Sequence, residues 1–316
     1  MVEIIRKAIY FYQLVFDEWA DPNTKSWLFV AKPYQGLTIL ALYLMFVLKW
    51  GPNFMKNRKP MNLEKVMIVY NAVQVICCTH VFLVGITIGW GWGQGYRWVC
   101  EPVDYSNSEH AKLVRKTVYI YYLLKIADLA DTIFFVLRKK TNQLTFLHIY
   151  HHTGMVMIIW GATTYLAGGH GSLVGVINSF VHCVMYSYYL LTVAYPAVKQ
   201  SVTLKKFVTQ IQILQFLLCT VHFSTICFKR DCDYPRWTAA VFLPQNMFML
   251  VLFMDFYIKN YVRKPKQKDK KADLEETEES RIIEGDHIIQ KRSNINSDMQ
   301  GSLRHIDNSR RNEKKC

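Results

Sequence analysis

Apolar residues along this chain come in long unbroken runs. Seven such runs, at 34–49, 66–88, 118–137, 148–165, 173–195, 207–228 and 237–257, are separated by short polar loops. A helix needs about 20 mostly apolar residues to cross a bilayer core. None of the runs keeps the strict alternation of a barrel strand, so the pattern predicts seven transmembrane helices. The first run is slightly short, and the fourth opens with three histidines. The 33 residues before the first run hold no apolar core followed by a small-residue cleavage site, and so do not read as a cleavable signal peptide. After the seventh run the pattern changes to KPKQKDKK and DLEETEE, too polar to build a core. The expected organisation is a non-cytosolic segment 1–33, a membrane domain 34–261 and a disordered cytosolic tail 262–316. The expected fold is all-α: a polytopic membrane protein whose seven transmembrane helices form a bundle around an enclosed substrate tunnel.

Composition sharpens this picture. Of 316 residues, 51% are apolar and 20% charged, and the mean hydropathy of +0.06 averages an apolar core with a solvated tail. Collagen, a coiled coil and a globally disordered chain are excluded, and the number of apolar runs argues against a soluble globular domain. The net charge of +14 would suit nucleic acid, but 14 of the 38 Lys and Arg residues lie in the tail and most others flank the runs. The surplus reads as membrane orientation, with no nucleic-acid partner. With the amino terminus outside the cytosol, the loop Lys and Arg count is nearly balanced, and the tail decides for a cytosolic carboxyl terminus. In that orientation only Cys100 and Cys232 lie in loops on the oxidising side, in WVCEPVDY and KRDCDYPR, and they are expected to pair. Two free thiols is the alternative. The ending NEKKC is similar to a dilysine retrieval signal, with only Lys314 in register.

The informative residues are polar ones inside the runs, where a charge costs about 2.5–3.5 kcal/mol on insertion scales. In KIADLADT, Lys125, Asp128 and Thr132 fall on one helical face with Asp131 at its edge. They form either a self-neutralising ion pair or a carboxylate set that orients a histidine. In HIYHH, His148, His151 and His152 share a face. Such imidazoles ligate a metal or act as nucleophile and general acid–base. In NSFVHCVMYSYY, Asn178, His182, Met185, Tyr186 and Tyr189 form one stripe, read as the wall of a polar chamber. In TQIQILQF, Thr209, Gln212 and Gln215 recur on one side with His222 two turns on, either as wall or as interhelical glue. Membrane di-iron oxidases also use HxxHH boxes, but they draw about eight histidines from several boxes. Here six of ten histidines lie in or near the runs, with a single box. No metal and no cofactor are therefore expected.

KxxDxxDT at 125–132, HxxHH at 148–152, NxxxHxxMYxYY at 178–189 and TxxQxxQ at 209–215, together with GPNFMKNRKP and FFVLRKK, resemble the ordered motif set of the fatty acid elongases. These are the very-long-chain 3-ketoacyl-CoA synthases of the endoplasmic reticulum membrane. The resemblance runs from about 27 to 261. Asp128 stands where that family commonly has Glu. The resemblance implies condensation of a long-chain or very-long-chain acyl-CoA with malonyl-CoA, giving a 3-oxoacyl-CoA two carbons longer, carbon dioxide and coenzyme A. No cysteine suits the nucleophile, since Cys183 points about 100° from His182. His151 is the expected nucleophile through an acyl-imidazole, His182 the second imidazole and Asn178 an oxyanion donor. Asp128 and Asp131 would fix a histidine tautomer, and His148 and His152 would surround the site.

Lys125, Tyr186, Tyr189, Gln212 and Gln215 are expected around the substrate. Arg138, Lys139, Lys140, Lys205, Lys206, Arg263, Lys264 and Lys266 are candidates for the coenzyme A phosphates, although positive-inside flanking accounts equally well for any one of them. Membrane lipid, the ketoacyl reductase and dehydratase of the same cycle, and a second copy in a homodimer are the expected partners. A seven-span receptor is disfavoured because the third run ends in FFVLRKK and the seventh lacks NPxxY. A transporter is disfavoured because no repeat is evident and the runs are mostly unbroken.

Overall fold

The structure, a computed structural model, describes residues 1–91 and 95–263. Every regular element among the described residues is helical: α1 (Val2–Gln13), α2 (Pro33–Met45), α3 (Gly51–Met55), α4 (Glu64–Gly85), α5 (Glu109–Ala127), α6 (Leu129–Leu137), α7 (Phe146–Tyr165), α8 (Ser172–Ala194), α9 (Pro196–Gln200), α10 (Val202–Phe228) and α11 (Trp237–Tyr257). Residues up to Tyr257 form one compact unit. A second begins at Ile258, of which a single wide helical turn, Ile258–Val262, and Arg263 are described. The tail from 264 onward, with Lys264 and Lys266, lies outside the described residues.

Local sequence explains where the helices start. Pro33 occupies the first turn of α2, where a missing N–H is harmless. The side chains of Ser108, Thr145 and Ser201 accept backbone N–H groups at the starts of α5, α7 and α10. The end of α6 is equally specific. Lys139 takes φ 54°, its N–H donates to the Val136 carbonyl at 3.1 Å, and the Lys140 N–H donates to Phe135 at 2.9 Å. This left-handed cap turns the chain sharply after the basic triplet.

Five helical stretches among the described residues are long and apolar enough to cross a membrane: Pro33–Met55, Glu64–Trp90, Gly169–Ala194, Val202–Phe228 and Trp237–Val262. The expected third and fourth spans are helical but more polar than these five. The third is not one helix either. It begins at Glu109, nine residues earlier than expected, and divides at Asp128, where ψ relaxes to −20° between α5 and α6. The Asp128 N–H closes α5 on Leu124 while its carbonyl accepts the Asp131 N–H in a tighter turn. The acidic and basic groups that make this stretch too polar also bond to one another there.

Gly169–Ala194 has 56% of its apolar window buried, against 17–33% for the other four. α8 is therefore the hub, and the others present more of their surface outward. α4 packs along α8 most extensively, α10 packs on both α8 and α11, and α5 packs on α4 and α7. Gly85 allows a close α4–α8 approach, since a Cβ there would collide with Val176.

At one end of the bundle Cys100 and Cys232 are joined in a disulfide, with Cα atoms 5.7 Å apart. The cross-link packs with Phe223, Ile226 and Tyr234. It closes a loop of 132 residues. By the chain-entropy argument, the Cys100→Ser/Cys232→Ser variant loses about 2–4 kcal/mol. The expected readout is a lower unfolding midpoint in detergent, with peptide mapping of the unaltered, unreduced chain recovering the joined peptides. An unchanged midpoint would contradict this.

Candidate functional site

The site is built around two opposite charges in the bundle interior. Lys125 Nζ lies 2.7 Å from Asp128 Oδ2, and each side chain is only 3% exposed. Burying such a pair is costly unless the remaining lone pairs and protons are also satisfied, and here they are. Gln74 Nε2 donates to Asp128 Oδ1 at 2.8 Å. The Tyr186 hydroxyl bridges Asp128 Oδ1 at 2.9 Å and Asp131 Oδ2 at 2.7 Å, with the Tyr70 hydroxyl 3.3 Å from it. Lys125 also donates to Asn178 Oδ1 at 3.0 Å. The Lys125 ammonium and the Asp128 carboxylate both face His182 Nδ1, at 3.4 and 3.5 Å. Asp131 reaches Tyr186 and Tyr70 rather than an imidazole.

Asn178 carries this order outward. Its Oδ1 accepts from both Lys125 and the Tyr121 hydroxyl, the latter at 2.8 Å. The amide orientation is thereby fixed, so Nδ2 donates to Gln215 Oε1 at 3.1 Å. With its oxygen engaged, Gln215 keeps its own amide N–H groups available. His151, Asn178, His182, Gln212, Gln215 and Phe216 line a small cavity at this point. His151 is half-buried between the Phe216 and Phe253 rings, and neither of its ring nitrogens has a hydrogen-bond partner among the described residues.

The other two histidines of HIYHH do different work. Tyr43 donates to Thr132 Oγ1 at 2.9 Å, and the same hydroxyl pairs with His148 Nε2 at 3.0 Å. The His148 ring lies 4.2 Å from that of buried His152, which meets His151 edge-on at 5.4 Å. Among the described residues no three His, Cys, Asp or Glu side chains converge as metal ligands would.

The outlying expectations fall elsewhere. Tyr189 packs on Tyr186 and Tyr188. Gln212 Nε2 lies 3.4 Å from Met185 Sδ. Arg138 points its guanidinium at Met67 Sδ, and Lys139 donates to the Lys56 carbonyl. Lys140 directly follows Lys139 in the turn that closes α6. Lys205 is exposed on the first turn of α10, and Lys206 lies over the Tyr257 ring. Arg263 belongs to the second unit.

Sequence reasoning missed Tyr121, Gln74, Tyr70 and Tyr43. Gln74 had a usable signal, being an amide in an apolar run. The tyrosines had none, because a Tyr in a span is ordinary packing until its hydroxyl finds a buried partner. His222 leaves the glutamine stripe and stacks on His170 at 3.7 Å, each Nε2 donating to the other's backbone carbonyl.

The model of the ELO (GNS1/SUR4) family matches residues 28–269. The chain belongs to the ELO family. Similar relatives include rat very long chain fatty acid elongase 7, 40% identical over 78% of this chain and 89% of its own length. The Drosophila melanogaster elongase 7 is 38% identical over 79% of this chain and 75% of its own. Human very long chain fatty acid elongase 4 is 34% identical over 78% and 77%. The matched region contains all four motif blocks, and its Lys125–Asp128 pair makes a stability prediction. Asp128→Asn leaves a buried ammonium without its counter-charge and lowers stability by about 3–5 kcal/mol, whereas the paired change Lys125→Met/Asp128→Leu restores most of it. Unfolding midpoints of the three proteins in detergent check this, and a double variant no more stable than Asp128→Asn contradicts it.

Proposed function

We propose that this chain is the condensing enzyme of fatty acid elongation, joining a long-chain or very-long-chain acyl-CoA to malonyl-CoA. The observation that carries the reading is the shared cavity of His151 and His182, with His182 held by the Lys125–Asp128 pair and His151 left without a partner. An unengaged imidazole beside an apolar wall suits nucleophilic attack on a thioester. In this reading His151 attacks the acyl carbonyl, the C–S bond breaks, and coenzyme A leaves as thiolate and takes up the imidazole proton. Malonyl-CoA then loses carbon dioxide, and its enolate attacks the acyl-imidazole. The C–N bond breaks as the departing imidazole nitrogen takes up one proton from water, the proton that decarboxylative condensation consumes overall, releasing the 3-oxoacyl-CoA and the neutral histidine. His182 orients the malonyl thioester enolate.

Developing oxyanions need pre-aimed donors. Asn178 and Gln215 supply them as a relay, since charge on Lys125 polarises the Asn178 amide, and Asn178 in turn occupies the Gln215 oxygen. Coenzyme A phosphates would meet basic residues from Arg138, Lys139, Lys140, Lys205 and Lys206. Seven spans, a lumenal amino terminus, a cytosolic carboxyl terminus and an endoplasmic reticulum location complete the reading. The reductase and dehydratase of the cycle, and a second copy of the chain, are its proposed partners.

Microsomes containing the chain, given labelled malonyl-CoA and an acyl-CoA, are expected to form a product two carbons longer. His151→Ala lowers that rate by at least about a hundredfold. Gln215→Leu, which removes an oxyanion donor, lowers kcat by about a hundredfold with little change in KM. Normal condensation by His151→Ala would overturn the assignment.

A further inference from the structure

A second, larger cavity is lined by Tyr121, the hydrogen-bond partner of Asn178. Its wall carries no charged side chain. Val81, Ile159, Ala162 and Val176 supply side-chain surface, while Gly85 and Gly175 leave bare backbone. The helices that carry the polar site also wall this chamber. On α8, Gly175 lies seven residues from His182, roughly 10 Å along the axis, and on α5, Val114 lies eleven residues from Lys125, roughly 16 Å. The chamber therefore extends directly away from the reacting groups.

Tyr121 stands between the two spaces. Its ring lines the chamber, and its hydroxyl donates to Asn178 Oδ1, which faces the reaction cavity. Lys125 Nζ lies 5.0 Å from the ring centroid. A Cβ at Gly175 would come within 3.3 Å of the Tyr121 ring, so the ring packs closely against α8. One hydrogen bond therefore fixes the ring's position where the polar network ends and the apolar chamber begins.

We propose that Tyr121 is the partition between the reaction cavity and this chamber, and that it determines acyl-length specificity. The proposal rests on reading the site as an acyl-transfer centre. A coenzyme A head finds no charged partner in the chamber, whereas an acyl tail leaves water for an apolar wall. Short tails end before the Tyr121 ring. Long tails pass it, which requires the ring to turn and its hydrogen bond to Asn178 to be exchanged. Because Asn178 also holds Gln215, tail position communicates with the donors at the reacting carbonyl.

The test uses the full chain in lipid nanodiscs, with labelled malonyl-CoA and a series of saturated acyl-CoAs of increasing length. Ala162→Phe fills the chamber from α7 and is expected to lower the kcat/KM ratio of longest to shortest acyl-CoA by about tenfold or more. Tyr121→Phe removes only the hydroxyl that anchors the ring and is expected to raise the same ratio by about threefold. These opposite shifts are not what a general loss of packing would produce. If Ala162→Phe does not fold, Tyr121→Phe decides alone, since it deletes a single oxygen. An unchanged ratio in the folded variants overturns the partition while condensation itself stands. Failure of the unaltered chain to condense any acyl-CoA with malonyl-CoA overturns the reading of the site and the partition with it.

Discussion

Two opposite charges, Lys125 and Asp128, sit one helical turn apart in the interior of an apolar bundle. Neither is tolerable there alone, and even together they leave acceptor and donor capacity to be met. α4 meets it with Gln74, and α8 with Asn178, His182 and Tyr186. The pair thereby fixes the register of α4 and α8 against α5 and sets the division between α5 and α6. The site's geometry is the solution to a burial problem. An imidazole, a carboxamide and a phenol converge because the pair requires partners, and the first two also line the cavity.

The two ends of the bundle are ordered by different means. At one end the Cys100–Cys232 disulfide and the reciprocal His170–His222 bonds hold the loops together without charge. At the other, the left-handed cap at Lys139 turns the basic triplet back on itself. Between them the apolar chamber and the polar cavity are separated by Tyr121. In the proposed reading the two spaces would take the two halves of an acyl thioester, its tail and its reacting head.

Much of this was legible along the chain. The apolar runs marked the helices, and the polar residues within them marked the site, because insertion energetics make such residues conspicuous. Lys125, Asp128, Asn178, His182 and Gln215 could all be named from spacing alone. Spacing could not show the division at Asp128. A 3.6-residue pattern is nearly unchanged by one relaxed turn, and the cause is a bond made only when α4 and α8 arrive. Nor could it separate the three histidines, whose distinct roles come from Thr132, Phe216 and Phe253, remote in sequence. Tyr121 was invisible for the same reason, since its meaning depends on Asn178 across the bundle.

In the proposed mechanism the buried pair holds His182 and Asn178 so that His151 can take an acyl group. The most direct measurement is intact and peptide-level mass after incubation with an acyl-CoA alone, on the unaltered chain and on the folded Lys125→Met/Asp128→Leu variant. An acyl increment on the peptide containing His151 is expected in the first and its loss in the second. Equal acylation of both proteins, or no adduct on an unaltered chain that condenses normally once malonyl-CoA is added, would contradict it.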